Sequence, residues 1–140
     1  MININCKLDK DLLVHIKDSY REAILIVGED EHVYVIEKID DILSMLINSN
    51  NSFTRELGSY SKLLYYVYLD LMNNDNFHCS DSACSILAAL FYLCNPFDII
   101  PDYTPGTGYV DDAIIINICY KYICGKESKL VDKYKSTIGQ

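Results

Sequence analysis

The stretch ACSILAALFYLCNPFDIIPDYTPGTGYVDDAIIINICYKYI, residues 83–123, decides the fold. Its first twelve residues, Ala83 to Cys94, are apolar on nearly every face of a helix. After Ala113 the second run is interrupted only by Asn117 and Lys121. A helix that is hydrophobic all round belongs in the interior of a bundle. Two such helices in succession predict a central apolar hairpin. About fifteen residues join them, whereas bundle connections usually take ~2–8, so the link is built for more than reversing the chain.

That link holds all three prolines of the chain. Pro96 cannot continue the helix before it, and it pushes Asn95 out of the α region. Asp98 can accept from backbone amides a few residues on. Pro101 fixes φ a second time. Thr104, Pro105, Gly106 and Gly108 form turns. Asp111 and Asp112 fall where the second helix begins, where negative charge meets the positive helix end.

Outward from the hairpin, four further segments are expected. Residues 9–27 open with Asp9 or Asp11 as a cap, then Leu12, Leu13, Ile16 and Tyr20 at helical spacing. Residues 31–48 repeat Ile36, Ile39, Leu43 and Leu46 or Ile47, which favours a second helix. A rival reading pairs AILIV and HVYVI as a β-hairpin across GEDE, and propensity alone does not separate the two. Residues 53–73 place Leu57, Tyr60, Leu64, Val67 or Tyr68, and Leu71 on one face. The hairpin's first helix starts after Ser80 or Asp81, Gly125 suits a stop for its second, and ESKLVDKYKST finishes the chain as a short polar helix. The expected fold is mainly α, a compact bundle of five to six helices in a single domain over 1–140.

The chain carries 12 basic and 20 acidic residues and a formal net charge of −8. Nucleic-acid binding is excluded on that balance, because basic stripes supply most of that affinity. A protein partner is the expectation, and a basic one is compatible with the charge. Six cysteines follow a start that lacks a secretory pattern, so reduced thiols in the cytoplasm are expected. Four of them lie in apolar runs, where Cys acts as a small hydrophobe. No apolar run reaches the ~18 residues of a spanning helix.

The segment NPFDIIPDYTPGTGYVDDAIIINI resembles the signature of the YkvA-like family, domain of unknown function 1232. The matching positions are Pro96, Asp98, Ile100, Pro101, Asp102, Pro105, Gly108, Asp111 and Asp112, behind the apolar lead-in ILAALFYLCN. Asn95 stands where Ser is common, and Tyr103-Thr104 where apolar residues are common. The likeness covers about 83–123 within a family-like core of 53–124. It implies a helical domain and membrane association in many relatives, and it carries no activity.

Three functions follow from these observations. The first is a non-enzymatic protein-interaction module, of inhibitor, antitoxin or immunity type, without a cofactor. The second is a membrane-associated domain that inserts the 83–123 hairpin. The third is a divalent-metal-dependent enzyme using Asp98, Asp102, Asp111 and Asp112, since Mg2+ and Ca2+ want clustered carboxylate oxygens. The spacing of those four does not match an EF-hand, and the plainer reading is that they cap helix ends and pin the link. His15, His32 and His78 have no recognisable nucleophile partner. Cys79, Cys84, Cys119 and Cys124 lack the tight spacing of zinc sites. Pro96, Asp98, Pro101, Asp102, Gly108, Asp111 and Asp112 are the candidate site.

Overall fold

The computed structural model describes residues 1–4, 9–72, 80–95 and 109–138. Within them are six α-helices and no strand: α1 (Lys10–Ile26), α2 (Glu29–Ile47), α3 (Ser52–Met72), α4 (Asp81–Cys94), α5 (Val110–Lys126) and α6 (Ser128–Tyr134). A 3-10 turn, Lys135–Ile138, follows. The mainly α bundle expected from the sequence is what forms.

The β-hairpin reading of residues 22–37 gives way to two helices meeting at Val27 and Gly28. Local chemistry favours this outcome. The Gly28 amide donates to Glu31 Oε1 at 2.7 Å, which satisfies a donor at the start of α2. Glu29, Asp30 and Glu31 place three carboxylates in the first turn, against the positive helix end. Asp9 caps α1 by accepting from the Asp11 amide. Ser80 caps α4 by accepting from the Ala83 amide at 3.1 Å.

α4 is the hub. It packs on α1, α2, α3 and α5, and every residue from Ser82 to Leu90 is buried. α5 packs on α4 as the hairpin reading requires, and also on α1, α3 and α6. It runs to Lys126, one residue past the glycine expected to stop it. Gly125 has open space around it, so nothing there forces the chain out of the helix.

The inward faces agree with the sequence periodicity in most places. Ile16 and Tyr20 are buried on α1, and Leu57, Leu64, Val67 and Tyr68 on α3. On α2 the buried set is Val35, Ile39, Leu43 and Leu46; Ile36, expected inside, faces outward. Both residues are apolar and adjacent, so spacing alone left the register one step ambiguous. At the α2–α3 junction, Gly58 lets the backbones approach closely. A Cβ there would stand 2.8 Å from Leu46 Cβ and 3.1 Å from the Ile47 amide nitrogen.

Long-range hydrogen bonds tie the helices. Tyr20 Oη donates to the Ser85 carbonyl at 2.8 Å, joining α1 to α4. Asn117 clasps Ile2 with both halves of its amide, Nδ2 to the Ile2 carbonyl at 2.9 Å and Oδ1 from the Ile2 amide at 3.0 Å. Asp70 accepts from Tyr134 Oη at 2.8 Å and Lys133 Nζ at 3.2 Å, holding α6 to α3.

One cysteine expectation is corrected. Cys84 is disulfide-bonded rather than a reduced thiol. It sits in the first turn of α4 and is 9% exposed, whereas Cys119 is fully buried. Cys94, Cys119 and Cys124 are free thiols.

Candidate functional site

Two of the expected site residues, Asp111 and Asp112, lie in the described part of the chain. Pro96, Asp98, Pro101, Asp102 and Gly108 lie outside it, so the four-aspartate arrangement is described at two positions only.

Asp111 and Asp112 occupy the first turn of α5, just after Tyr109. Tyr109 adopts a left-handed backbone, φ 67° and ψ 3°, which a residue with a Cβ rarely takes. From there the chain turns directly into the helix and carries both carboxylates inward. Asp111 is 2% exposed and Asp112 5%. Such burial is unusual for aspartate unless it is compensated. For Asp111 the compensation is visible: Tyr92 Oη, from the last turn of α4, donates to Oδ2 at 2.7 Å. Tyr109, the N-cap residue of α5, makes no side-chain capping hydrogen bond of its own. The Tyr92–Asp111 bond ties the end of α4 to the start of α5. The helix end adds a favourable field for both negative charges.

Cys94 closes the same corner. Its thiol is pushed up to about 12, mainly by burial and then by the charge of Asp112. Cys94 is therefore protonated at neutral pH and unsuited to act as a nucleophile. Cys119 is likewise raised to about 12 by burial; its Sγ faces the Ser85 carbonyl at 3.5 Å. Among the described residues no three His, Cys, Asp or Glu side chains gather closely enough to hold a metal ion. Asp111 and Asp112 alone offer two carboxylates, fewer oxygens than a hard divalent cation takes.

These features share one segment with known proteins. Residues 83–118 match the family model described as "Protein of unknown function (DUF1232)". The likeness to that family is confined to this segment. A curated relative, the "Uncharacterized membrane protein YkvA" of Bacillus subtilis (strain 168), is 36% identical over 50 residues, 36% of this chain and 46% of the relative. The chain thus matches about half the length of that relative. No solved structure matches it significantly. In this fold the matched segment contains nearly all of α4, the link, and the first half of α5, with Tyr92, Asp111 and Asp112 at its corner. No helix among the described residues is long and apolar enough to cross a membrane.

A second feature was missed at the sequence level. α2 carries six acidic side chains, Glu29, Asp30, Glu31, Glu37, Asp40 and Asp41, against Lys38 alone. Its net charge of −5 is most of the −8 of the whole chain. Val33 and Ile36 lie on its outward side, 49% and 37% exposed, while Leu25 and Ile26 at the end of α1 are 84% and 78% exposed. A count of charge segment by segment would have revealed the acidity. The exposure of Ile36 required the helix register.

Proposed function

We propose that this protein is a non-enzymatic interaction module that docks a basic protein partner on the outer face of α2. The observation that carries the reading is the concentration of charge on α2 beside solvent-facing Val33, Ile36, Leu25 and Ile26. Apolar side chains within a field of one sign are what a partner of opposite charge recognises: the apolar groups supply burial, and the carboxylates supply steering and register. Asp111, Tyr92 and Cys94 serve this module as framework, holding α4 and α5 together behind the docking helix. Inhibitor, antitoxin and immunity-type roles are finer versions of the same reading, to be distinguished by what the partner does.

The test uses the chain and its Val33→Asp/Ile36→Asp variant as paired baits in native lysate, with circular dichroism showing that both are folded. A stoichiometric basic partner is expected with the wild type alone, released by raising the salt. Recovery of the same proteins on both baits, or no stoichiometric partner, refutes the reading.

Membrane association is the second reading, favoured by the name of the Bacillus relative. For the 83–123 hairpin to enter lipid, α4 would have to leave α1, α2 and α3, and α5 would have to leave α1, α3 and α6. That exposes the apolar faces of those helices to water, a cost lipid contact by the hairpin alone does not offset. Full release of the expressed protein into detergent-free buffer removes this reading; retention in the membrane pellet after a high-salt wash favours it over the first.

A further inference from the structure

The positive charge of the chain is also unevenly placed. A cleft of about 460 Å3 opens between α1, α4 and α5, lined among others by Tyr20, Ile24, Ile118 and Tyr122. Lys17 and Arg21, one helical turn apart on α1, stand at its walls, with Asp81 the only carboxylate lining it among the described residues. Ile118 and Tyr122 also line an adjoining hollow, where Lys121, Gly125 and Lys126 complete the wall. Lys126 Nζ lies 6.0 Å from the centre of the Tyr122 ring. Four of the twelve cations of an acidic chain therefore line these two hollows, which share Ile118 and Tyr122 and together make one apolar trough with two cations on each side.

The floor of the trough is apolar for a definite reason. Tyr20 turns its hydroxyl into α4, where the Ser85 carbonyl accepts it, and the Cys119 thiol faces that same carbonyl. The polar atoms at the base are thus engaged with one another, and the ring of Tyr20 faces the cleft beside Ile24 and Ile118. Gly125 adds no side chain to the wall and leaves its end open. Arg21 also meets Asp18 at 3.3 Å, but that pair is solvent-exposed and weakly held. The volume falls in the ~300–1,000 Å3 range of small-molecule sites.

We propose that this trough binds an anionic amphiphile: a single apolar chain along Tyr20, Ile24, Ile118 and Tyr122, and a carboxylate or phosphate head held among Lys17, Arg21, Lys121 and Lys126. A neutral apolar ligand would make no use of the four cations. A bulky polyanion would make none of the floor. The trough lies away from the acidic face, since α2 packs on α3 and α4 and makes no contact with α5 among the described residues. The proposal stands independently of the docking function of α2.

The probe is sodium decanoate below its micelle concentration, titrated by NMR at low salt, with decyltrimethylammonium as the cationic control. Saturable one-to-one binding of decanoate is expected, with shifts at α1 and α5. Lys17→Glu/Lys121→Glu should weaken it roughly tenfold, as loss of two rim charges predicts. Ile118→Trp, which fills the trough and keeps every charge, should abolish it. Both variants are first checked for native helix content and melting. Sedimentation with phosphatidylglycerol vesicles separates the sources: binding that also fails in Ile118→Trp assigns the head group to a membrane lipid, and decanoate binding without vesicle binding assigns it to a free amphiphile. No saturable decanoate binding, equal binding of the cationic control, or vesicle binding that survives Ile118→Trp overturns the proposal.

Discussion

Replacing Gly58 with alanine tests the α2–α3 junction. The added Cβ would lie 2.8 Å from Leu46 Cβ, 3.0 Å from Ile47 Cγ1 and 3.1 Å from the Ile47 amide nitrogen. Two of those atoms cannot swing away, because one is a β-carbon and the other is backbone. The end of α2 must shift as a unit. Overpacking of this kind costs about 1–3 kcal/mol. Alanine in a helix interior regains about 1 kcal/mol over glycine. The net expectation is a loss of about 0–2 kcal/mol, or a fall in Tm of up to about 8 °C for a chain of this size. Gly125→Ala provides the opposite sign. It is helical, and among the described residues nothing beyond its chain neighbours and its own helix backbone lies within 4 Å of its would-be Cβ, so only the propensity gain operates, reduced by its place in the last turn. Stability should rise by up to ~0.5 kcal/mol. Urea unfolding followed by circular dichroism measures both. If Gly58→Ala proves as stable as Gly125→Ala, α2 and α3 are not held at the described distance and the argument fails.

Other substitutions probe the remaining structure. Tyr92→Phe removes the hydroxyl that serves buried Asp111 and should cost about 1.5–3 kcal/mol in the same urea assay; a loss under 0.5 kcal/mol would mean that the bond does not hold the hairpin. With disulfides left intact, a thiol reagent should modify half-buried Cys124 in the native protein. It should reach Cys94 and Cys119 only on unfolding, and fast native labelling of Cys119 would contradict its burial. Asp70 has its carboxyl lowered below 3.8, first by the Tyr134 hydrogen bond and also by Lys133. A lowered folded value contributes stability that is present above pH 3.8 and lost as pH falls through the folded value. Asp70→Asn should therefore flatten the acid limb of a stability-versus-pH curve and leave its alkaline side unchanged; an unaltered acid limb would rule the linkage out.

The α4–α5 hairpin was legible because its sequence is extreme: helices this apolar have no stable place except the interior. The caps at Asp9 and Ser80 were legible because an oxygen-bearing side chain preceded each periodic run. The corner at Val27 and Gly28 was not, since AILIV and HVYVI satisfy strand propensity as well as helix periodicity. What separated them was the Glu31–Gly28 bond and three carboxylates at a helix start, contacts that matter only once a helix exists. The outward turn of Ile36 was hidden for a similar reason, as Val35 fills the inward position equally well. The candidate site was half legible. Asp111 and Asp112 stood out at the head of an apolar helix, but the role of Tyr92 depends on α4 ending beside α5. The basic trough gave no local signal, because Lys17, Arg21, Lys121 and Lys126 lie more than 90 positions apart in two pairs and meet only through packing.

The clasp between Asn117 and Ile2 has a consequence for the order in which the molecule can be made. At synthesis rates of ~5–20 residues per second, α2 and α3 can pair early, as they are neighbours along the chain. Ile2 must wait, unsheltered, until the residue 115 positions downstream has left the ribosome. The segment around Ile2 is among the last parts to find its seat, so a nascent chain stalled before α5 should present it to chaperones and proteases, whereas the chain with α5 in place should hide the Ile2 side chain.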